Sequence, residues 1–340
     1  MKNLIYIFFL LLPIAAFSQE SDNAIVQNKR NCSTMEVFER MKAEDPFYES
    51  RINAIENEIE EYIKNNPVQG RAVVNIPVVV HVVYKTAAQN ISDAQILSQI
   101  NILNQDFRKL NSDVSGVPSV FQSYAADCQI NFCMASRTPT GAATNGITRT
   151  QTSKTSFSTN DYVKYSSRGG KDAWDRNKYL NIWVCNLSGG VLGYAQFPGG
   201  AAATDGVVIG YKYFGNTGQA TYPFDKGRTA THEIGHWLNL RHIWGDDGTA
   251  CTGSDLVSDT PNQSNENYGC PSFPQISCSN GPNGEMYMNY MDYTDDRCMF
   301  MFTTGQSGRM TALLNGTRAS LLTSNGCTAP APYNNPSHSE

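Results

Sequence analysis

Three of the chain's five histidines fall in one short stretch, THEIGHWLNLRHIWGDD, as His232, His236 and His242. His232 and His236 are four residues apart, so on an α-helix they project from one face, one turn from each other. Two neutral imidazoles so placed reach a single zinc ion, and His242 supplies a third nitrogen, leaving one position open. Glu233, beside the first histidine, is placed to orient a water there and take its proton, the metal lowering the water's pKa to about 7. H-E-x-x-H is the zinc-protease signature, and the third histidine extends it to H-E-x-x-H-x-x-G-x-x-H. Asn239 stands where that motif has glycine. Asparagine is the residue that next most readily takes the left-handed backbone needed to end the helix and return the chain to the metal. Further on, EMYMNYMDYTDDRC offers Met291 for the tight turn that accompanies the extended motif, a soft apolar floor under the metal and not a ligand. Tyr293, two residues later, can bring its hydroxyl to the metal and to the oxyanion of a tetrahedral intermediate.

These residues need a scaffold, and the 340 residues are ample for one. RAVVNIPVVVHVVYK is a β-branched run long enough for a buried strand. ISDAQILSQINILNQDFRKLN predicts an amphipathic helix with a possible Ser92/Gln95 capping box and an inner face of Ile96, Ile100, Leu103 and Phe107. CQINFCMAS, YLNIWVCNL and GVVIGYKYF suggest further strands. Strand, helix, more strands and then the helix bearing the histidines indicate a mixed α/β domain. Residues 245–300 are rich in Gly, Asp, Asn, Ser and Pro and hold Cys251, Cys270, Cys278 and Cys298. Such a region buries too little apolar surface to hold itself, so crosslinks or metal must brace it. TTGQSGRMTALLN reads as a closing helix, and a tail over residues 328–340 reads as frayed.

The N-terminus MKNLIYIFFLLLPIAAFSQE has the charged start, apolar run and small-residue cleavage site of a signal peptide spanning residues 1–18. Its apolar run is too short to span a membrane, and no stable membrane anchor is expected. A net charge of −5 without a long basic run argues against nucleic acid as a partner. Residues 19–70 read as a pro-segment lying against something else, with Ile52, Ile55, Ile59 and Ile63 forming a stripe on a charged helix. Nine cysteines in an exported chain should mostly be disulfides, but an odd count leaves one over. Removing the pro-segment removes Cys32 and leaves an even number. Its thiolate is an excellent zinc ligand that can fill the open fourth position.

HEIGHWLNLRHIWGD, SDLVSDTPNQ, YGCP, NYMDYTDDRC and FTTGQSGRM together resemble the pappalysin family of metzincin proteases, and its microbial members in particular. The resemblance spans roughly residues 71–315. It implies an α/β (α+β) metzincin fold, with a twisted mixed sheet, a backing helix and the active-site helix in an upper subdomain, 71–242. A lower, irregular subdomain, 243–327, would be braced by disulfides and calcium and carry a C-terminal helix. A horizontal cleft would lie between them, with Gly193 to Phe197 near the rim strand that pairs with substrate. The resemblance implies a secreted zinc endopeptidase acting on proteins or peptides and inhibited by its own pro-segment through a cysteine switch at Cys32. It also implies one catalytic zinc and one or more structural calcium ions. Asp255, Asp259, the Thr260 oxygen and the Val257 carbonyl are hard oxygen ligands suited to calcium. The family pattern suggests disulfides Cys251–Cys278 and Cys270–Cys298, and gives no pairing for Cys128, Cys133, Cys185 and Cys327. In such enzymes an aspartate lining S1′ selects Arg or Lys after the scissile bond. Asp296 is the matching position, with Asp295 the alternative. The expected maturation site is Gly70–Arg71, cut by the enzyme itself.

Overall fold

The structure, a computed structural model, describes residues 29–66 and 72–331. The expected signal peptide, the Gly70–Arg71 bond and residues 332–340 lie outside the described residues. The N-terminal segment forms two helices, α1 (Thr34–Glu44) and α2 (Tyr48–Asn65). On α2, Ile52, Ile55 and Ile59 are buried as the stripe predicts, while Ile63 at its end stays exposed.

A mixed sheet follows. Strand β1 (Val74–Tyr84) lies inside the sheet, paired on both edges, and is buried on both faces. That explains its unbroken apolar run, the pattern of a strand covered on both sides. The helix α3 (Asp93–Phe107) comes next, then β2 (Ile130–Met134), β3 (Ile147–Gln151), β4 (Leu180–Cys185), β5 (Gly193–Ala195) and β6 (Val207–Gly210). The order across the sheet is β2-β1-β4-β6-β5, and β3 pairs with the second half of β1. All pairings are parallel except β5 with β6, which are antiparallel. The short strand β3 has no apolar run to announce it.

Helix α3 packs one face of the sheet with Ile96, Ile100, Leu103 and Phe107 buried. Ser92 caps it by accepting from the Gln95 backbone at 3.2 Å. The Gln95 side chain turns away to donate to the carbonyls of Tyr211 and Phe214, so only half of the capping box forms. Helix α4 (Arg228–Trp237) is buried along its whole length. The closing helix α5 (Thr304–Asn315) starts on a complete capping box of Thr303 and Gln306.

Between α4 and α5 the chain is irregular, tied by Cys251–Cys278 and Cys270–Cys298. A third disulfide, Cys133–Cys327, fastens the C-terminal segment to β2. Cys128 and Cys185 are buried, and burial pushes the Cys185 thiol up. Among the described residues no helix is long and apolar enough to cross a membrane.

Candidate active site

Helix α4 is fixed to α3 before it offers any ligand. Thr231 donates to Asp106 at 2.6 Å, and Arg228 pairs with Asp106 and with Asp113. Those anchors were not legible as such, because their partners lie over a hundred residues upstream. The helix carries His232, Glu233 and His236 inward, all buried. It ends at Asn239, which adopts φ 69° as its left-handed role requires, and His242 turns back.

Each imidazole is held through Nδ1. His232 donates to the Tyr290 carbonyl at 2.7 Å, His236 to the Leu240 carbonyl at 2.8 Å, and His242 to Asp246 at 2.7 Å. Carbonyl and carboxylate oxygens only accept, so each Nδ1 carries a proton, and in a neutral ring Nε2 then presents a lone pair. Nε2 of His236 lies 3.1 Å from Nε2 of both His232 and His242. Three ring nitrogens gathered so closely, pointing at one another in a buried space, are a donor set that fits a metal ion. Burial holds His232 and His236 well below the usual histidine range, and hence neutral. Asp246 and Trp244, which stacks on His242 at 4.3 Å, escaped the sequence reading. An acid four residues after the last histidine was the available signal.

Met291 lies under α4, where a Cβ at Gly235 would stand only 2.5 Å from its sulfur. A side chain in that place of HEIGH would force the Met291 thioether to move from under the helix. Glu233 is buried, and desolvation raises its carboxyl to about 7.

The N-terminal segment enters the same space. Sγ of Cys32 and the three histidine nitrogens lie within 4.8 Å of one another. Cys32 bridges Gly193 of β5 in parallel, and Asn31 and Ser33 exchange backbone hydrogen bonds with the edge of that strand. Thr34 donates to Glu233 at 2.8 Å, and the Cys32 thiol lies 3.4 Å from the same oxygen. The Tyr293 hydroxyl donates to the Cys32 carbonyl at 3.1 Å.

Residues 164–315 match the peptidase M43 family, described as "Pregnancy-associated plasma protein-A". The chain is 33% identical over 245 residues to an "Extracellular metalloprotease" of Arthroderma benhamiae, spanning 70% of this chain and 77% of that relative. The chain belongs to the pappalysin family of metalloproteases. A similar relative from Arthroderma otae is 33% identical over 254 residues, spanning 73% of this chain and 80% of that one. Among solved structures, Tannerella forsythia mature mirolysin in complex with a cleaved peptide is 56% identical with a TM-score of 0.74. That match covers 75% of this chain and 97% of the other. A Tannerella forsythia promirolysin mutant is 51% identical with a TM-score of 0.80, covering 86% of this chain and 97% of the other.

In this metalloprotease Asp296 is fully buried and pairs with the Arg30 guanidinium at 2.6 Å. Its other oxygen accepts from the backbones of Lys226 and Arg228 at 2.8 and 3.1 Å, where α4 begins. Asp295 instead reaches Arg297 at 3.5 Å. Of the residues expected at calcium, Asp255, Thr260 and the Val257 carbonyl converge, with Thr260 Oγ1 about 3 Å from each. Desolvation raises the Asp255 carboxyl to about 7. The Asp259 carboxylate turns aside to accept from Thr303 and Gly305 at the start of α5.

Proposed function

We propose that the chain is the latent form of a secreted zinc endopeptidase that cuts protein substrates before Arg or Lys. In this reading residues 1–18 are a signal peptide, 19–70 the pro-segment and 71–327 the catalytic domain. The observation that carries it is Arg30 seated on Asp296 while Cys32, two residues on, lies against the histidines. The segment fills the cleft with an arginine on Asp296, its chain running opposite to that of a substrate whose Arg follows the scissile bond. The promirolysin match extends over 86% of this chain, against 75% for mature mirolysin, which supports a pro-form. Relatives named extracellular metalloproteases support export.

Three imidazoles and a thiolate are a donor set suited to zinc. Held by His232, His236 and His242, with Cys32 as fourth donor in the latent chain, zinc would polarise the scissile carbonyl and acidify the attacking water. This chain's own residues do the rest. Once the segment leaves, the edge of β5 is free to pair with substrate backbone. Glu233, released from Thr34 and Cys32, takes the proton from the attacking water and passes it to the leaving amine. Tyr293 directs its hydroxyl at the carbonyl of Cys32 in the latent chain, and the same hydroxyl would donate to the oxyanion on a substrate carbonyl. Met291 supports the metal site from below. Calcium at Asp255, Val257 and Thr260, with Asp259 adjoining, would brace the irregular region.

The test is maturation itself. Full-length protein should process to a chain beginning Arg71-Ala72-Val73, and Glu233→Ala should stay intact. Processing of the Glu233→Ala protein alone, or a start elsewhere, would refute self-cleavage at Gly70–Arg71.

A further inference from the structure

Beyond the cleft, α2 makes one deeply placed polar contact with the catalytic body. Glu56 accepts from Arg309 of α5 at 2.5 Å and lies within 3.5 Å of Arg241, and it also accepts from Asn239 at 3.2 Å. The Arg309 side chain is 2% exposed and that of Glu56 12%. Among the described residues Glu56 is the one carboxylate that either guanidinium pairs with. Arg309 Nη1 also reaches the Leu256 carbonyl at 3.4 Å, the Asp255 carboxylate lies near enough to feel its charge, and Nε is buried without a hydrogen-bond partner. When α2 departs it takes Glu56 with it and uncovers Arg309 and Arg241, leaving two neighbouring guanidiniums that favour another carboxylate.

The site adjoins the reaction centre. Asn239 and Arg241 lie on the turn between His236 and His242. Phe197, which lines the small cavity beside Glu56, packs edge-on against the His236 ring at 5.5 Å. Arg30 occupies the pocket on one side of the histidines, and the chain passes them at Cys32 before α1 and α2 cover the other side. Glu56 therefore stands on the side opposite the Asp296 pocket.

We propose that in the processed enzyme Arg309, Arg241 and Asn239 form a subsite for an acidic side chain of the substrate, upstream of the scissile bond. Glu56 holds that place in the full chain. The proposal rests on the reading that the segment departs and that Asp296 lines S1′. Substrates would then be recognised at two charges: a carboxylate upstream and a guanidinium or ammonium immediately after the bond.

The experiment uses enzyme processed from the full chain, its mass confirmed, and peptides with Arg after the scissile bond. Asp, Ala and Lys are scanned through the upstream positions. At one position Asp should raise kcat/KM roughly tenfold over Ala, and Arg241→Glu should invert that preference toward Lys. Because Arg241 is partly exposed, this variant perturbs the fold less than a change at Arg309; Arg309→Gln, the second variant, should flatten the preference. A flat upstream profile with Arg after the bond still preferred would overturn the subsite. Failure of processing, or loss of the Arg preference, would instead count against the maturation reading. In that case the pair is tested in the unprocessed chain. Glu56→Arg should speed cleavage of residues 29–66 by an added protease, and adding Arg241→Glu should restore protection. Absence of that rescue would overturn the site as an acid-binding one.

Discussion

Asp296→Asn separates specificity from scaffolding. Asparagine keeps an oxygen that can accept from Lys226 and Arg228, so the start of α4 stays capped, whereas alanine would uncap it. What is lost is the charge. The Arg30–Asp296 pair is buried on both sides, with side chains 1% and 0% exposed at 2.6 Å. Removing one charge of such a pair costs about 3–5 kcal/mol, because the guanidinium left behind is desolvated and uncompensated. At about 1.4 kcal/mol per decade, kcat/KM for peptides with Arg after the bond should fall by about 100-fold or more. A peptide with Leu there never used the charge and should change by less than about threefold. The assay is a matched pair of quenched peptides, Arg against Leu, on processed enzyme, with zinc content measured alongside. If the Arg-to-Leu ratio stays within threefold of the parent, or if Asp295→Asn collapses it and Asp296→Asn does not, the pocket assignment is refuted.

Glu233→Ala should retain zinc while kcat/KM falls by about 10²–10⁴-fold, the usual contribution of a positioned base; activity within tenfold of the parent would end that assignment. A calcium chelator that spares zinc should lower the melting temperature and open residues 245–300 to proteolysis first, whereas unchanged melting and cleavage would remove calcium from that loop. His81 is fully buried between Thr148 and Asn181, and burial lowers its pKa to about 4. The unfolded chain, with a histidine pKa near 6.5, binds a proton between those values that the folded chain does not. Stability should therefore fall by roughly 3 kcal/mol as pH drops from 6.5 to 4. Urea melts of Glu233→Ala, with and without His81→Gln, should show this slope flattened by the second change, and an unaltered slope would acquit His81.

The reactive core was legible because its encoding is local. Four-residue spacing puts His232 and His236 on one helix face whatever surrounds them, and the proton-accepting Glu233 comes with them. Asn239 could be assigned a left-handed turn from its own backbone preference, and its φ of 69° agrees. The continuous apolar run of β1 likewise announced a strand covered on both sides. Even the half-formed capping box follows this division: Ser92 meets its near neighbour, while Gln95 is drawn away by carbonyls at Tyr211 and Phe214.

What tertiary structure decided is contact between residues far apart in the chain, where no spacing rule applies. The partnership of Arg30 with Asp296 depends on the segment threading along β5, and that of Glu56 with Arg309 depends on α2 lying against α5. Cys133 finds Cys327 because the closing segment returns to β2, while Cys185 stays a thiol inside β4. Residue types limited those pairings, but only the path of the backbone brought the charges and sulfurs within reach of each other.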